Sequence, residues 1–136
     1  LEMVNLAIGD DLRFRASDVE FRLPKPSYTI NTLAVLADKY PNFSFSIIIG
    51  SDNLVSLPKW KNFEAIVENY GIIVYPRPGF QTENVPAGQN IVISGAPLME
   101  ISSSFIRTAI REGKDIRHFL PGKVYGHLDK MNYYKS

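Results

Sequence analysis

Residues 43–49 have the sequence FSFSIII, and this run carries a strong indication of the fold class. The run is apolar, rich in aromatic and β-branched side chains, and bounded by a proline and a glycine, which is typical of a strand buried on both faces. A second run of this kind is found at residues 71–75 (GIIVY), and residues 90–93 predict a third short strand. Strands that are apolar throughout favour a parallel sheet, with ligands at the carboxyl ends of its strands.

Helical patterns alternate with these strands. Residues 2–8 are typical of the tail of a helix, and Ser27 is expected to cap a helix that ends at Pro41. Further helical patterns cover residues 62–69, 103–111 and 122–130. The alternation predicts an α/β protein whose parallel sheet is flanked by helices.

Two connecting segments are harder to assign. Residues 13–23 place apolar and polar side chains in partial alternation and end near two prolines, which predicts a strand or an edge hairpin. Residues 77–89 are rich in proline, glycine and polar side chains, which predicts a mobile loop.

The composition fits one soluble domain over residues 1–136, with a mass of 15.3 kDa. The chain has no cysteine, which excludes thiol nucleophiles, cysteine zinc sites and disulfide scaffolds, and favours the cytoplasm. No apolar run approaches the ~18 residues of a membrane span, so we expect no membrane association. Residues 101–136 carry seven basic and three acidic side chains, a local net charge of +4, so an anionic ligand is expected there.

The motif ISSSFIR at residues 101–107 predicts a phosphate site. Ser102, Ser103 and Ser104 stand where a helix begins, so unpaired backbone N–H groups, the helix dipole and hydroxyl donors point to one place. Arg107, one turn further, can bind the same anion, with Arg111 and Lys114 behind it. An ordinary serine-capped helix with a solvated basic face explains the pattern equally well.

Three more groups of residues are candidates for ligand binding. Asp52 follows the first strand, where it can accept hydrogen bonds from ribose hydroxyls, although a helix cap is the alternative. Trp60, between two lysines, can stack on an aromatic heterocycle, although a lone tryptophan is more often packed in a core. Thr29 opens a helix whose N–H groups can face an anion, and here too a simple cap is the alternative.

Other classes of site find little support. His118 and His127 have no carboxylate or cysteine at metal-ligand spacing, so no protein-held metal is expected. The basic excess is small and local, and no basic and aromatic strand surface is present, which argues against nucleic-acid binding.

Taken in order, five segments closely resemble the bacterial nicotinate mononucleotide adenylyltransferases. They are SYTINTLAVL, FSIIIGSDNL, PKWKNFEAI, IIVYPRPG and EISSSFIRTAIREGKDIRHFLPGKVYGHL, and together they cover almost the whole chain. The resemblance implies a Rossmann-like nucleotidyltransferase fold and an enzyme that makes deamido-NAD and pyrophosphate from ATP and nicotinate mononucleotide. ISSSFIR resembles the family's ISSTxxR motif, with a serine at 104 in place of threonine.

The resemblance also implies roles for individual residues. Ser103, Ser104 and Arg107 would hold the ATP phosphates, with Arg107 and Ser103 acting in catalysis. Asp52 would bind the mononucleotide, Trp60 would stack on its pyridine ring, and Thr29 and the backbone N–H of Lys61 would face its carboxylate. Mg²⁺ is expected as the cofactor, held mainly by the nucleotide.

One family hallmark, an H-x-G-H motif after the first strand, is absent from this chain. We therefore expect the functional protein to carry residues before Leu1, and the chain as given to be an incomplete domain with uncertain activity. A non-catalytic nucleotide-binding module stays open as an alternative, as do related adenylyltransferases acting on nicotinamide mononucleotide or phosphopantetheine. The sequence also leaves the oligomeric state open, a homo-oligomer included.

Overall fold

A computed structural model describes residues 1–80 and 90–135 of the chain. Two compact units can be distinguished in it, one made of Leu1–Asp18 with Ile101–Ser136 and one made of Val19–Glu100. The elements in chain order are α1 (Glu2–Ile8), α2 (Thr29–Lys39), β1 (Ile47–Gly50), α3 (Phe63–Asn69), β2 (Ile72–Tyr75), β3 (Ile91–Ile93), α4 (Ser103–Arg111) and α5 (Gly122–Lys130). A mobile loop is predicted at residues 77–89, and residues 81–89 of it lie outside the described residues.

The second unit contains a parallel sheet in the order β1-β2-β3, as the apolar runs predict. Ile47 pairs with Ile72 at the start of the β1–β2 ladder, and Gly50 pairs with Tyr75 at its end. Because both strands run the same way, the chain segments that follow Gly50 and Tyr75 leave the sheet at the same edge.

The core of this unit lies on one face of the sheet. Side chains of β1 and β2 pack there against α2 and α3 and against the segment after β1; the buried members are Leu33, Ile49, Leu54, Leu57, Ile66, Ile72 and Val74. Trp60 is partly buried and packs against the same cluster. The core therefore fixes the segment between Asp52 and Lys61 against the sheet.

The first unit consists of helices α1, α4 and α5 with their connections. α1 packs against α5, and a small core of Ile106, Ala109 and Ile116 lies under α4. His127 Nδ1 lies 3.6 Å from Glu2 Oε1, which links α5 to the first turn of α1. None of the helices in the described residues has the length and apolar character needed to cross a membrane.

The prediction of a strand at residues 43–49, buried on both faces, is wrong in two respects. Strand β1 begins only at Ile47, because its partner β2 begins at Ile72 and leaves residues 43–46 without a neighbouring strand. Ile48 is 72% exposed, since alternate side chains point to opposite faces and the helices cover only one of them.

Two further predictions are wrong. Residues 13–23 form no strand: Val19–Arg22 is a short 3-10 helix, and the Leu23 N–H bonds to the Glu20 carbonyl in a tight turn. Ser27 does not cap α2, which begins after Tyr28, because its hydroxyl instead donates to Glu20 Oε1 at 3.3 Å. In both cases a local hydrogen bond within the segment replaces the one that the pattern predicts.

The core predicts how leucine substitutions affect the second unit. Leu57→Ala removes a fully buried side chain, so we expect it to lower the free energy of unfolding by about 2–5 kcal/mol. Leu98, in the same unit, is 58% exposed, and Leu98→Ala should change that free energy by less than about 0.5 kcal/mol. Urea unfolding followed by the fluorescence of Trp60 measures both, and equal effects would contradict this assignment of the core.

Candidate functional site

The first group of candidate residues follows β1. Ser51–Asn53 forms a 3-10 turn directly after Gly50, in which the Ser51 side chain is buried and Asp52 is exposed. Asp52 Oδ1 lies 3.5 Å from Arg77 Nε, and the backbone N–H of Arg77 donates to Ser51 Oγ at 2.8 Å. The segments after β1 and β2 are therefore joined next to the predicted ligand-binding carboxylate.

Gly50 makes this approach sterically feasible. A Cβ atom at position 50 would collide with Asp52 Oδ1 and would lie 2.9 Å from Arg77 Nε. Any larger residue would push the Asp52 carboxylate and the Arg77 guanidinium away from the end of the strand. Asp52 serves no capping role, because the 3-10 turn has no side-chain cap.

The second group lies around Trp60. The 3-10 turn Leu57–Lys59 ends at Trp60, whose ring packs on the core, and Lys61 then turns into solvent. Lys61 Nζ lies 4.3 Å from the centre of the Tyr28 ring, a cation–π contact at the start of α2. Tyr28 directly precedes Thr29 in the chain, and the binding of a carboxylate by Thr29 and the Lys61 N–H stays a prediction.

Backbone donors are available in this second group. Thr29 is the first residue of α2, and Tyr28 O is already used by the N–H groups of Asn31 and Thr32. Within the described ranges, the N–H groups of Thr29 and Lys61 donate to no other backbone carbonyl. An N–H group of this kind at the start of a helix, such as that of Thr29, suits a small anion such as a carboxylate.

Trp60 packs partly in the core, which was the alternative to ligand stacking. Its ring is partly buried against the core of the second unit, so the residue has a structural role. Stacking on a ligand would use the exposed part of the ring, and this role remains a prediction.

The third group lies at the start of α4, in the other unit. Ser102 caps the helix: it has an extended backbone, and its Oγ accepts a hydrogen bond from the Phe105 N–H at 3.1 Å. Ser103 and Ser104 are consequently the first two helical residues, with exposed side chains. In the part of the chain that the structure describes, their N–H groups have no backbone partner, which leaves them available to an anion.

Arg107 is the cation best placed to join this site. Its guanidinium donates to Ser104 Oγ at 3.2 Å, which brings the charge to the N-terminal turn of α4. Among the described residues, no carboxylate lies within ion-pair distance of Arg107 or of Arg111, whose guanidinium donates to Thr108 Oγ1. Arg107 therefore keeps its charge available for an anionic ligand.

Two basic residues beyond Arg111 are already paired with carboxylates. Lys114 Nζ lies 2.6 Å from Glu112 Oε2, and Arg117 Nη2 lies 2.6 Å from Asp115 Oδ2. The hydrogen bonds from Arg117 lower the pKa of the Asp115 carboxyl to about 2. Lys114 thus does not stand behind Arg107 as a second free cation, which corrects that part of the sequence prediction.

Sequence reasoning gave no role to Arg77 or to the Tyr28 ring, did not predict the bond made by Ser51, and left open which serine caps α4. The bond between Ser51 and Arg77 spans 26 positions, and only the parallel register of the strands could have indicated it. No sequence signal distinguishes Ser102 from Ser103 and Ser104, because each of the three has an amide three residues later, the usual spacing for a capping bond.

Comparisons with known proteins agree with this fold. Residues 1–109 match the family model described as cytidylyltransferase-like. A solved Plasmodium falciparum nicotinic acid mononucleotide adenylyltransferase, complexed with APC, superimposes with a TM-score of 0.77 at 20% identity, over 98% of this chain and 73% of that one. At this identity the likeness concerns the fold alone.

Curated relatives are closer in sequence. A Flavobacterium johnsoniae protein named "Probable nicotinate-nucleotide adenylyltransferase" is 50% identical over all of this chain and 72% of its own length. A Cytophaga hutchinsonii protein of the same name is 43% identical over 99% of this chain and 70% of its own length. By this similarity the chain belongs to the cytidylyltransferase-like family and, within it, to the nicotinate-nucleotide adenylyltransferases.

Proposed function

We propose that this protein transfers the adenylyl group of ATP to nicotinate mononucleotide, giving deamido-NAD and pyrophosphate. The proposal rests on the start of α4. There the N–H groups and hydroxyls of Ser103 and Ser104 lie close to the guanidinium of Arg107, which has no carboxylate partner among the described residues. Such a group is suited to the phosphates of ATP, and family membership supports the choice of the second substrate.

In the proposed reaction, a phosphate oxygen of the mononucleotide attacks the α-phosphorus of ATP. A new P–O bond forms, the bond from the α-phosphorus to the bridging oxygen breaks, and pyrophosphate leaves with that bond's electrons. No general base is needed, because the attacking phosphate is already ionised. Arg107 and the Ser103 end of α4 stabilise the negative charge that develops on pyrophosphate.

Residues of the other unit bind the mononucleotide in this proposal. The Asp52 carboxylate accepts hydrogen bonds from the ribose hydroxyls, and the exposed part of the Trp60 ring stacks on the pyridine. The N–H groups of Thr29 and Lys61 bind the pyridine carboxylate, with the Lys61 ammonium close by. Binding of this kind mainly orients the attacking phosphate.

A divalent metal is general among nucleotidyltransferases, and we propose Mg²⁺. Among residues 1–80 and 90–135, no group of three histidine, aspartate or glutamate side chains is placed to hold a metal ion. We propose that the ion is held mainly by the nucleotide, where it would offset phosphate charge. We place the reaction in the cytoplasm, in keeping with the absence of cysteine.

Replacement of Arg107 tests the phosphate site. Arg107→Ala should lower kcat/KM for ATP by about 100-fold, because it removes a charge that stabilises the leaving pyrophosphate. Arg111→Ala is the matched control, since that arginine lies on the same helix without a carboxylate partner, and it should change kcat/KM less than about threefold. Pyrophosphate release measures both rates; similar losses in the two variants would mean that the site is misplaced.

Replacement of Trp60 tests the pyridine site. Trp60→Leu keeps an apolar side chain on the core but removes the aromatic face, so KM for nicotinate mononucleotide should rise about fivefold to tenfold. Phe63→Leu is the control, because Phe63 packs on the same core, and its KM should stay within about twofold. If Trp60→Leu lowers only the melting temperature, packing is the whole role of Trp60.

Substrate preference tests the carboxylate site. Two N–H donors and a lysine favour a charged carboxylate over a neutral amide, so nicotinate mononucleotide should be used at least about tenfold better than nicotinamide mononucleotide. The measurement is kcat/KM for each in the same pyrophosphate assay. Equal values would remove this assignment of Thr29 and Lys61.

A further inference from the structure

The side chain of Ser51 is 1% exposed, and no other polar residue in the described ranges is buried to this extent. A hydroxyl loses its hydrogen bonds to water on burial, so it must find a partner in the protein. The partner here is the backbone N–H of Arg77, which donates to Ser51 Oγ at 2.8 Å from 26 positions further along the chain. This bond joins the segment after β1 to the segment after β2.

The bond between Ser51 and Arg77 lies just beyond the last residue pair of the β1–β2 ladder. The β1–β2 ladder stops at the pair Gly50–Tyr75, so the residues beyond it have no ladder hydrogen bonds to hold them together. Ser51 is the first residue past the end of β1, and Arg77 is the second past the end of β2. The serine side chain thus extends the pairing of the two strands by one further hydrogen bond.

The bond to Ser51 holds the Arg77 main chain in a position from which the Arg77 side chain reaches Asp52. Arg77 Nε lies 3.5 Å from Asp52 Oδ1, and Asn53 Nδ2 lies 3.4 Å from the same oxygen. Among the described residues, both contacts to the carboxylate use Oδ1, so Oδ2 stays available to a ligand. The absence of a Cβ at Gly50 leaves room for the carboxylate and the guanidinium to lie together.

We propose that Ser51 is a positioning residue for the mononucleotide site, because its buried hydroxyl holds Arg77 beside Asp52 and so fixes the direction in which Asp52 presents its second oxygen. The proposal rests on the proposed function, since that function assigns Asp52 to the ribose hydroxyls. Ser51 itself touches no substrate. Its effect should fall on binding of the mononucleotide and leave the ATP side unchanged.

Ser51→Ala tests the proposal directly. Loss of the acceptor removes the hydrogen bond that holds the Arg77 N–H, so the Arg77 main chain is no longer held beside Asp52 and KM for nicotinate mononucleotide should rise about fivefold to tenfold. The KM for ATP and kcat should stay within about twofold. Ser56→Ala is the matched control, because its hydroxyl donates to the Asn53 carbonyl in the same segment but is exposed, and it should change none of the three values.

A double variant separates positioning from general loosening. In an Asp52→Asn background, Ser51→Ala should raise KM for the mononucleotide by less than about twofold, because the group through which Ser51 acts is already altered. An undiminished effect in that background would overturn the proposal. A lower melting temperature with unchanged KM values would overturn it too, since Ser51 would then be purely structural.

Hydrogen exchange gives a measurement that is independent of activity. The Arg77 amide should be protected in the wild-type protein and should exchange at least about tenfold faster in Ser51→Ala, with Ser51→Cys between the two because a thiol accepts more weakly. Equal exchange rates in wild type and Ser51→Ala would overturn the proposal whatever the activity. A wild-type protein without turnover would instead count against the proposed function.

Discussion

The parallel pairing of β1 with β2 brings together the residues of the proposed mononucleotide site. Because the register ends at Gly50 and Tyr75, the two following segments emerge at the same edge, where Ser51 and Arg77 meet. Leu54 and Leu57 are buried in the core, and they hold the segment from Asp52 to Trp60 against the sheet. Sheet, core and candidate site are therefore parts of one arrangement, and the polar groups lie where ligands generally bind to parallel sheets.

In the other unit, the proposed phosphate site depends on which basic side chains lack a carboxylate partner. Seven basic side chains give residues 101–136 their positive excess, but Lys114 and Arg117 are engaged by Glu112 and Asp115. Arg107 is left with a hydroxyl partner at the start of α4, where the backbone N–H groups also point. A local net charge alone would not have distinguished Arg107 from its neighbours.

The sequence predicted those elements whose patterns are set locally. Strands β2 and β3 and helices α3, α4 and α5 lie close to the predicted positions, since apolar runs, proline and serine mark their ends. It failed where a partner outside the predicted element decides: residues 43–46 have no strand beside them, and Ser27 bonds to Glu20, a few residues earlier in the chain, instead of capping α2. The sequence could name candidate ligand-binding residues from local motifs, namely Asp52, Thr29, Trp60 and Lys61. It could not predict the hydrogen bond from Arg77 to Ser51, because the two residues are far apart in the chain.

We propose that these residues serve adenylyl transfer, as opposed to binding of a nucleotide alone. Incubation of the wild-type protein with ATP, Mg²⁺ and nicotinate mononucleotide, with quantification of both pyrophosphate and deamido-NAD, tests this proposal. We expect the two products in equal amounts, and neither product when the mononucleotide is omitted. ATP binding by a folded protein that releases no pyrophosphate with either mononucleotide would rule out adenylyl transfer.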